Sequence, residues 1–221
     1  MLHNKDGKRI RNISVSYNPF DLALVDSERV VISYGVMRTV DILNLTTNSI
    51  EKTFEHKSCC FGISYEDGRL YTVVDQHGII VTYLLRKHLD TIKEGVVGAS
   101  YITTDKDRIY VCSYISNTVK CYSKTGELLW IFSGDLLLAP SGLAIDSNRN
   151  ILVVGEDSNN LTVISRDCKT RKILLNVEND LHRPKYIHYN KGNNVLLVCN
   201  LENDKAYIYT VTYDISLHLT T

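Results

Sequence analysis

A chain of 221 residues with 44% apolar and 23% charged side chains has the composition of an ordinary folded domain, which excludes intrinsic disorder. Its 25 basic and 25 acidic residues cancel, so no chain-wide positive field gathers phosphate backbones around it. The longest apolar runs, such as Asp135-Leu136-Leu137-Leu138-Ala139, fall far short of the roughly 18 residues that span a bilayer, and no membrane partner is expected.

The start, Met1-Leu2-His3-Asn4-Lys5-Asp6-Gly7-Lys8, is polar where a signal peptide carries an apolar stretch of about 7 to 15 residues, so a cytoplasmic location is expected. Six cysteines (Cys59, Cys60, Cys112, Cys121, Cys168 and Cys199) include no C-x-x-C pair. That pattern predicts reduced thiols rather than a zinc site or a disulfide framework, and neither metal nor cofactor is expected.

In chain order, residues 9–16 (Arg9-Ile10-Arg11-Asn12-Ile13-Ser14-Val15-Ser16) read as one extended strand. One short phrase, a basic or amide residue followed by two apolar ones, then recurs at steps of about forty residues. It reads Arg29-Val30-Val31, Arg69-Leu70-Tyr71, Arg108-Ile109-Tyr110, Asn150-Ile151-Leu152 and Asn194-Val195-Leu196. Within each unit the apolar residues fall into short runs separated by Gly, Asn, Asp and Ser, a strand-and-turn signature. The third unit is the clearest. Strands at 100–104, 108–113, 118–122 and 128–132 are divided by Asp105-Lys106-Asp107, Ser116-Asn117 and Lys124-Thr125-Gly126. The fourth repeats this plan at 142–145, 150–154, 160–164 and 172–175. The first, second and fifth follow it more loosely, with second strands at 30–33, 70–74 and 195–199.

A four-stranded sheet that is apolar on both faces must be covered on both, and radial stacking of like sheets does this economically. The predicted fold is therefore all-β: a single-domain β-propeller of four-stranded antiparallel blades near 19–55, 59–94, 98–133, 139–176 and 182–213. It has five blades if residues 9–16 supply the outer strand missing after 206–211. Otherwise it is a six-bladed ring lacking an amino-terminal blade.

The phrases Ala139-Pro140-Ser141-Gly142-Leu143-Ala144-Ile145-Asp146, Asn150-Ile151-Leu152-Val153-Val154 and Asn159-Asn160-Leu161-Thr162-Val163-Ile164 resemble an NHL repeat, which runs Pro-x-Gly-(apolar)-x-(apolar)-Asp, turn, strand, Asn-turn, strand. Residues Asn117 to Gly126 carry the second half of the same motif. The chain thereby resembles the carboxy-terminal propeller of tripartite-motif proteins, in particular the divergent molluscan type. The first, second and fifth units lack the Pro-x-Gly opening. The resemblance implies a propeller that selects a protein partner or binds RNA, joined in such proteins to a RING finger. No array of closely spaced Cys and His for a RING exists here, so ubiquitin ligation by this chain alone is not expected.

Propellers bind at the ends of their blades, where loops converge. The loops after each second strand hold Tyr34-Gly35-Val36-Met37-Arg38, Asp75-Gln76-His77-Gly78, Tyr114-Ile115-Ser116-Asn117, Glu156-Asp157-Ser158-Asn159 and Asn200-Leu201-Glu202-Asn203-Asp204. From these, Tyr34, Arg38, His77, Tyr114, Asn117, Glu156, Asp157 and Asn200 are the candidate partner-binding residues. Tyr34, Arg38 and Tyr114 lead because Tyr and Arg are frequent interface anchors. The expected activity is non-catalytic recognition of a protein through one rim.

Two alternatives stand beside this reading. A calcium-dependent lactonase or esterase would use oxygens of Glu156, Asp157, Asn200 and Asp75, with His77, His182 or His188 as base. An RNA binder would use the tyrosines with the basic clusters Lys5, Lys8, Arg9, Arg11 and Lys169, Arg171, Lys172. Tyr71, Tyr110, Tyr207 and Tyr209 lie in strand runs and are expected to pack between sheets.

Overall fold

The computed structural model describes residues 2–3, 7–84, 89–92, 96, 98–203 and 205–212. Lys5, Asp204 and residues 94 and 213, the ends of two expected blades, lie outside the described residues. The chain divides into two compact units, Met1–Ile102 and Thr103–Thr221.

In the first unit, β1 (Leu2–His3) pairs antiparallel with β2 (Arg9–Arg11). The first blade is the antiparallel meander β3 (Asp21–Leu24), β4 (Arg29–Ser33), β5 (Thr39–Asn44) and β6 (Ser49–Glu55). The second is β7 (Cys60–Glu66), β8 (Arg69–Val74), β9 (Gly78–Tyr83) and β10 (Leu89–Ile92). β11 (Tyr101–Thr104) straddles the division and opens the third blade, followed by β12 (Arg108–Ser113), β13 (Thr118–Ser123) and β14 (Leu128–Ser133). The fourth blade is β15 (Pro140–Ile145), β16 (Ile151–Gly155), β17 (Asn160–Ile164) and β18 (Arg171–Leu175). In the fifth, the described strands are β19 (Pro184–Asn190), β20 (Val195–Asn200) and β21 (Ala206–Thr210). The one helix among the described residues is the 3-10 turn Val177–Asn179, capped by the Asn176 side chain.

The recurring phrase is explained by turn chemistry. In the first blade Asp26 Oδ1 accepts the backbone N–H groups of Glu28 and Arg29, both at 2.9 Å. In the third, Asp105 Oδ1 accepts from Asp107 N–H and Arg108 N–H, at 3.2 and 2.9 Å. In the fourth, Asp146 takes the backbone and side-chain N–H of Asn150, at 2.7 and 2.9 Å. A short side-chain acceptor thus closes the turn, and the residue it captures begins the second strand.

Second strands are buried on both faces, as in β16, where all five residues are inaccessible. Outer strands are largely exposed and carry charge: Glu51, Lys52 and Glu55 on β6, Arg171 and Lys172 on β18. Charged edges discourage pairing with other sheets. Between the first two blades lie Val31, Val40, Ile42, Cys60, Ile63, Leu70 and Val74. Between the last two lie Ala144, Leu152, Val154, Leu161, Leu181, Tyr189, Leu196 and Val198. Tyr71 and Tyr110 are fully buried, and the Tyr207 and Tyr209 rings stack at 6.3 Å.

The first strands of successive blades approach closely at two glycines. Gly62 N–H donates to Ser100 O at 2.8 Å, and a Cβ on Gly62 would lie 2.6 Å from Tyr101 Cα. Two blades later a Cβ on Gly142 would meet Lys185 O at 2.8 Å and Ile187 N at 2.9 Å. The Pro-x-Gly opening therefore has a packing reason: the next blade's backbone occupies the space of a side chain.

One expectation is corrected. Residues 9–16 do not form one continuous strand. Only Arg9–Arg11 is strand and it pairs with Leu2–His3. Beyond it, Ile13 and Val15 pack on Ile32, Tyr34 and Leu43 of the first blade, and the Arg11 guanidinium donates to Leu45 O. Alternating apolar residues here are half-buried on a sheet face near their own position in the chain, a contact needing little loop closure.

Candidate functional site

In an antiparallel meander, the turn after the second strand and the link to the next blade lie at the same end of the sheet. In the second unit these are residues 114–117, 134–139, 156–159, 176–183, 201–203 and 205. Hydrogen bonds join them into one surface. Asn117 Oδ1 accepts from Ala139 N–H at 2.7 Å, and Asn160 Nδ2 donates to Leu136 O at 2.7 Å. Leu138 N–H donates to Ser158 Oγ at 3.1 Å, and Arg183 N–H to Asn159 Oδ1 at 2.7 Å. Asn200 Nδ2 donates to Asp180 O at 2.8 Å, and Leu201 N–H to Arg183 O at 2.9 Å.

Asn117 and Asn159 are equivalents, each with φ of 51°. Asn tolerates this left-handed conformation better than most residues, and it aims each amide at the entry of the following blade. Two candidates from the sequence thus serve as braces: Asn117 holds the fourth blade's entry, and Asn200 holds the link ahead of its own blade. Glu156 is a third. It is buried at 2% exposure, the Arg183 guanidinium donates to its carboxylate, and Lys185 Nζ stands 3.6 Å away. Of the five candidates on this surface, Tyr114 (43% exposed) and Asp157 face solvent.

What the surface presents is apolar. Ile115 is 83% exposed at the tip of the third blade's turn, with Leu136, Leu138, Val177 and Leu201 exposed on the neighbouring loops. Leu137, between two of these, is fully buried and lies against Gly155. Sequence reasoning did not select Ile115, Leu136, Leu138 or Leu201. The available signal was an apolar residue at a turn position that polar side chains normally fill.

In the first unit the corresponding turns hold the remaining candidates. Arg38 is exposed with φ of 61°, and its carbonyl accepts from His56 N–H at 2.8 Å. His77 is half-buried, its Nδ1 2.9 Å from Asp75 O. Tyr34, expected as a rim contact, is buried at 2% exposure because its ring fills the first blade's face beneath Ile13 and Val15. Burial pushes its phenol above the ordinary range, and Asp41 reinforces the shift. Tyr34 also floors a shallow cleft with Val15, Ser16, Tyr17, Asn18, Pro19, Val36 and Met37.

At the opposite end of the second unit, charges are engaged with one another. Arg149 donates to Asp105 and Asp107, Arg166 to Asp107, and the Arg166 carbonyl accepts from Arg108 and from Trp130 Nε1 at 3.0 Å. Desolvation raises the Asp107 carboxyl, but its bond to the Arg166 guanidinium and the charges of Arg166 and Arg149 outweigh it and hold the group down to about 2. Burial pushes the Cys121 thiol up to about 11 and raises Cys60, Cys168 and Cys199, so these thiols stay protonated near neutrality and are poor nucleophiles. Among the described residues no three His, Cys, Asp or Glu side chains gather as a metal set, and no helix is long and apolar enough to cross a membrane.

No protein-family model and no curated protein matches this sequence. Solved structures do match the fold. A chain of the nidogen/laminin complex superposes with a TM-score of 0.67 at 16% identity, covering 87% of this chain and 80% of that one. The β-propeller domain of Cps50 (Swd1) from Myceliophteria thermophila gives 0.67 at 8% identity, covering 94% and 88%. At such identities the likeness speaks for the fold alone.

Proposed function

This chain is an all-β, five-bladed β-propeller, and we propose that it is a non-catalytic protein-recognition scaffold. Its contact surface is the loop end of the second unit that bears Tyr114, Ile115, Leu136, Leu138 and Leu201. One observation carries the reading: large apolar side chains stand exposed on consecutive loops fastened to one another by the half-buried Asn117 and buried Asn160 amides. Exposed apolar groups on rigid loops bury area on binding with little ordering entropy, and contiguous apolar patches mark interaction sites.

The NHL-like phrases in the third and fourth blades extend the proposal. The propeller would then be the partner-selecting module of a cytoplasmic, tripartite-motif type protein in the ubiquitin pathway, with any RING supplied outside this sequence. Sequencing the transcript upstream of the Met1 codon tests that extension, which fails if no RING or B-box is encoded there. The recognition role is tested by cross-linking capture from the native cell extract with an Ile115→Asp/Leu138→Asp variant. Capture is expected to fall to background while the melting temperature stays within about 2 °C of the parent. Undiminished capture by the folded variant overturns the proposal. Calcium-dependent lactone or ester hydrolysis by the purified chain overturns its non-catalytic part.

A further inference from the structure

The apolar loop residues of the second unit are set beside carboxylates. Asp135 precedes Leu136, Glu178 follows Val177, Glu202 follows Leu201, and Asp157 lies in the turn whose Ser158 holds Leu138. Asp180 is also at this end. All five carboxylates are exposed, and among the described residues none is in an ion pair. Glu156, the sixth acidic residue among the described residues of these loops, is turned inward onto Arg183 and Lys185. That leaves Lys205 as the cation of these loops without an acidic partner among the described residues.

At the opposite end the balance reverses. Asp105, Asp107 and Asp146 are consumed by turns and by Arg149 and Arg166, and Asp167 pairs with Lys169, while Lys106, Arg171, Lys172 and Lys191 are exposed and outnumber the exposed Glu127. The second unit is thus polarised from end to end although the chain is neutral overall. Such a field orients an approaching cation toward the acidic end and repels a polyanion from it.

Resting on the recognition surface proposed above, we infer that its partner is an extended polypeptide segment in which large apolar side chains alternate with Lys or Arg. The apolar side chains fit between Ile115, Leu136 and Leu138, and the cations meet Asp135, Asp157 and Glu202. Charge complementarity of this kind chiefly sets specificity and association rate, and apolar burial supplies most of the affinity.

The test uses the full chain and two fluorescein-labelled synthetic peptides, one alternating Leu with Lys and the other identical except for Glu in place of Lys, followed by fluorescence anisotropy. The Lys peptide is expected to bind at least about tenfold more tightly than the Glu peptide, and to weaken several-fold as salt rises from about 50 to about 200 mM. Asp135→Asn/Glu202→Gln should weaken it about three- to tenfold and Ile115→Asp should abolish binding. Lys191→Gln at the other end should leave it unchanged. If both peptides bind equally and Ile115→Asp abolishes both, the surface stands and the charge inference falls. If the Lys peptide ignores Ile115→Asp or Asp135→Asn/Glu202→Gln, its binding is non-specific and the inference falls. If neither peptide binds, the inference falls, and the recognition role is decided by the capture experiment.

Discussion

Gly142→Ala adds one methyl group where the first strand of the fourth blade meets that of the fifth. The new Cβ would stand 2.8 Å from Lys185 O, 2.9 Å from Ile187 N and 2.8 Å from Ile187 Cγ2. Two of these neighbours are backbone atoms of β19, which is held by its pairing with β20, so no rotamer change relieves them. Comfortable carbon contacts begin near about 3.5 Å, and the strands must part by roughly 0.5–1 Å, which forfeits about a quarter to a half of the dispersion energy along the seam. Overpacking of this kind costs about 1–3 kcal/mol, occasionally more. Gly142 does not have a left-handed φ, so alanine also returns about 0.4–1 kcal/mol through the unfolded chain. With two of the three contacts to backbone, the upper part of that range applies, about 2–3 kcal/mol, and the net expectation is a loss of about 1–2.6 kcal/mol, or about 2–10 °C in melting temperature for a chain of this length. Differential scanning calorimetry beside Gly192→Ala, whose Cβ would meet only Asn190 Oδ1 at 3.3 Å, supplies the control. A Gly142→Ala protein that melts within about 1 °C of the parent refutes the close approach and the packing reason given for the Pro-x-Gly opening.

Two further outcomes follow from the same geometry. Asp21 accepts the N–H groups of Ile63 and Leu22, yet burial outweighs both bonds and raises its carboxyl to about 7. The folded state therefore holds a proton that the unfolded state releases near pH 4, and stability should fall as pH rises from about 4 to about 7, by at most about 1.4 kcal/mol per unit. In Asp21→Asn, which keeps an acceptor for Ile63, urea midpoints between pH 5 and 7 should lose that slope; parallel slopes in the two proteins exclude Asp21 as the source. Asn159→Ala removes the acceptor for Arg183 N–H and strains a φ of 51°, so it should cost about 2–3 kcal/mol, whereas Asn159→Gly keeps the conformation and should cost about 1 kcal/mol. Equal urea midpoints for the two variants would deny the backbone contribution.

The sequence by itself determined the repeat, the strand plan and the turn chemistry, because these depend on contacts within a few residues. Asp105 before Arg108 and Asp146 before Asn150 are local hydrogen-bonding units, and alternation along β13 follows from the two-residue period of a strand. Only the tertiary structure decided which face each loop residue turns to. Asn117, Glu156 and Asn200 read as contact residues until their partners at Ala139, Arg183 and Asp180 are seen, twenty or more residues away. Leu136-Leu137-Leu138 reads as a core run, and the fold buries only the middle leucine beside Gly155. Residues 9–16 have the pattern of a strand whatever they pack against, and their contact with Ile32, Tyr34 and Leu43 was settled by an apolar face close in the chain. Long-range packing chooses among arrangements that local pattern leaves equal, and the exposed rim exists because that choice left Ile115, Leu136 and Leu138 outside.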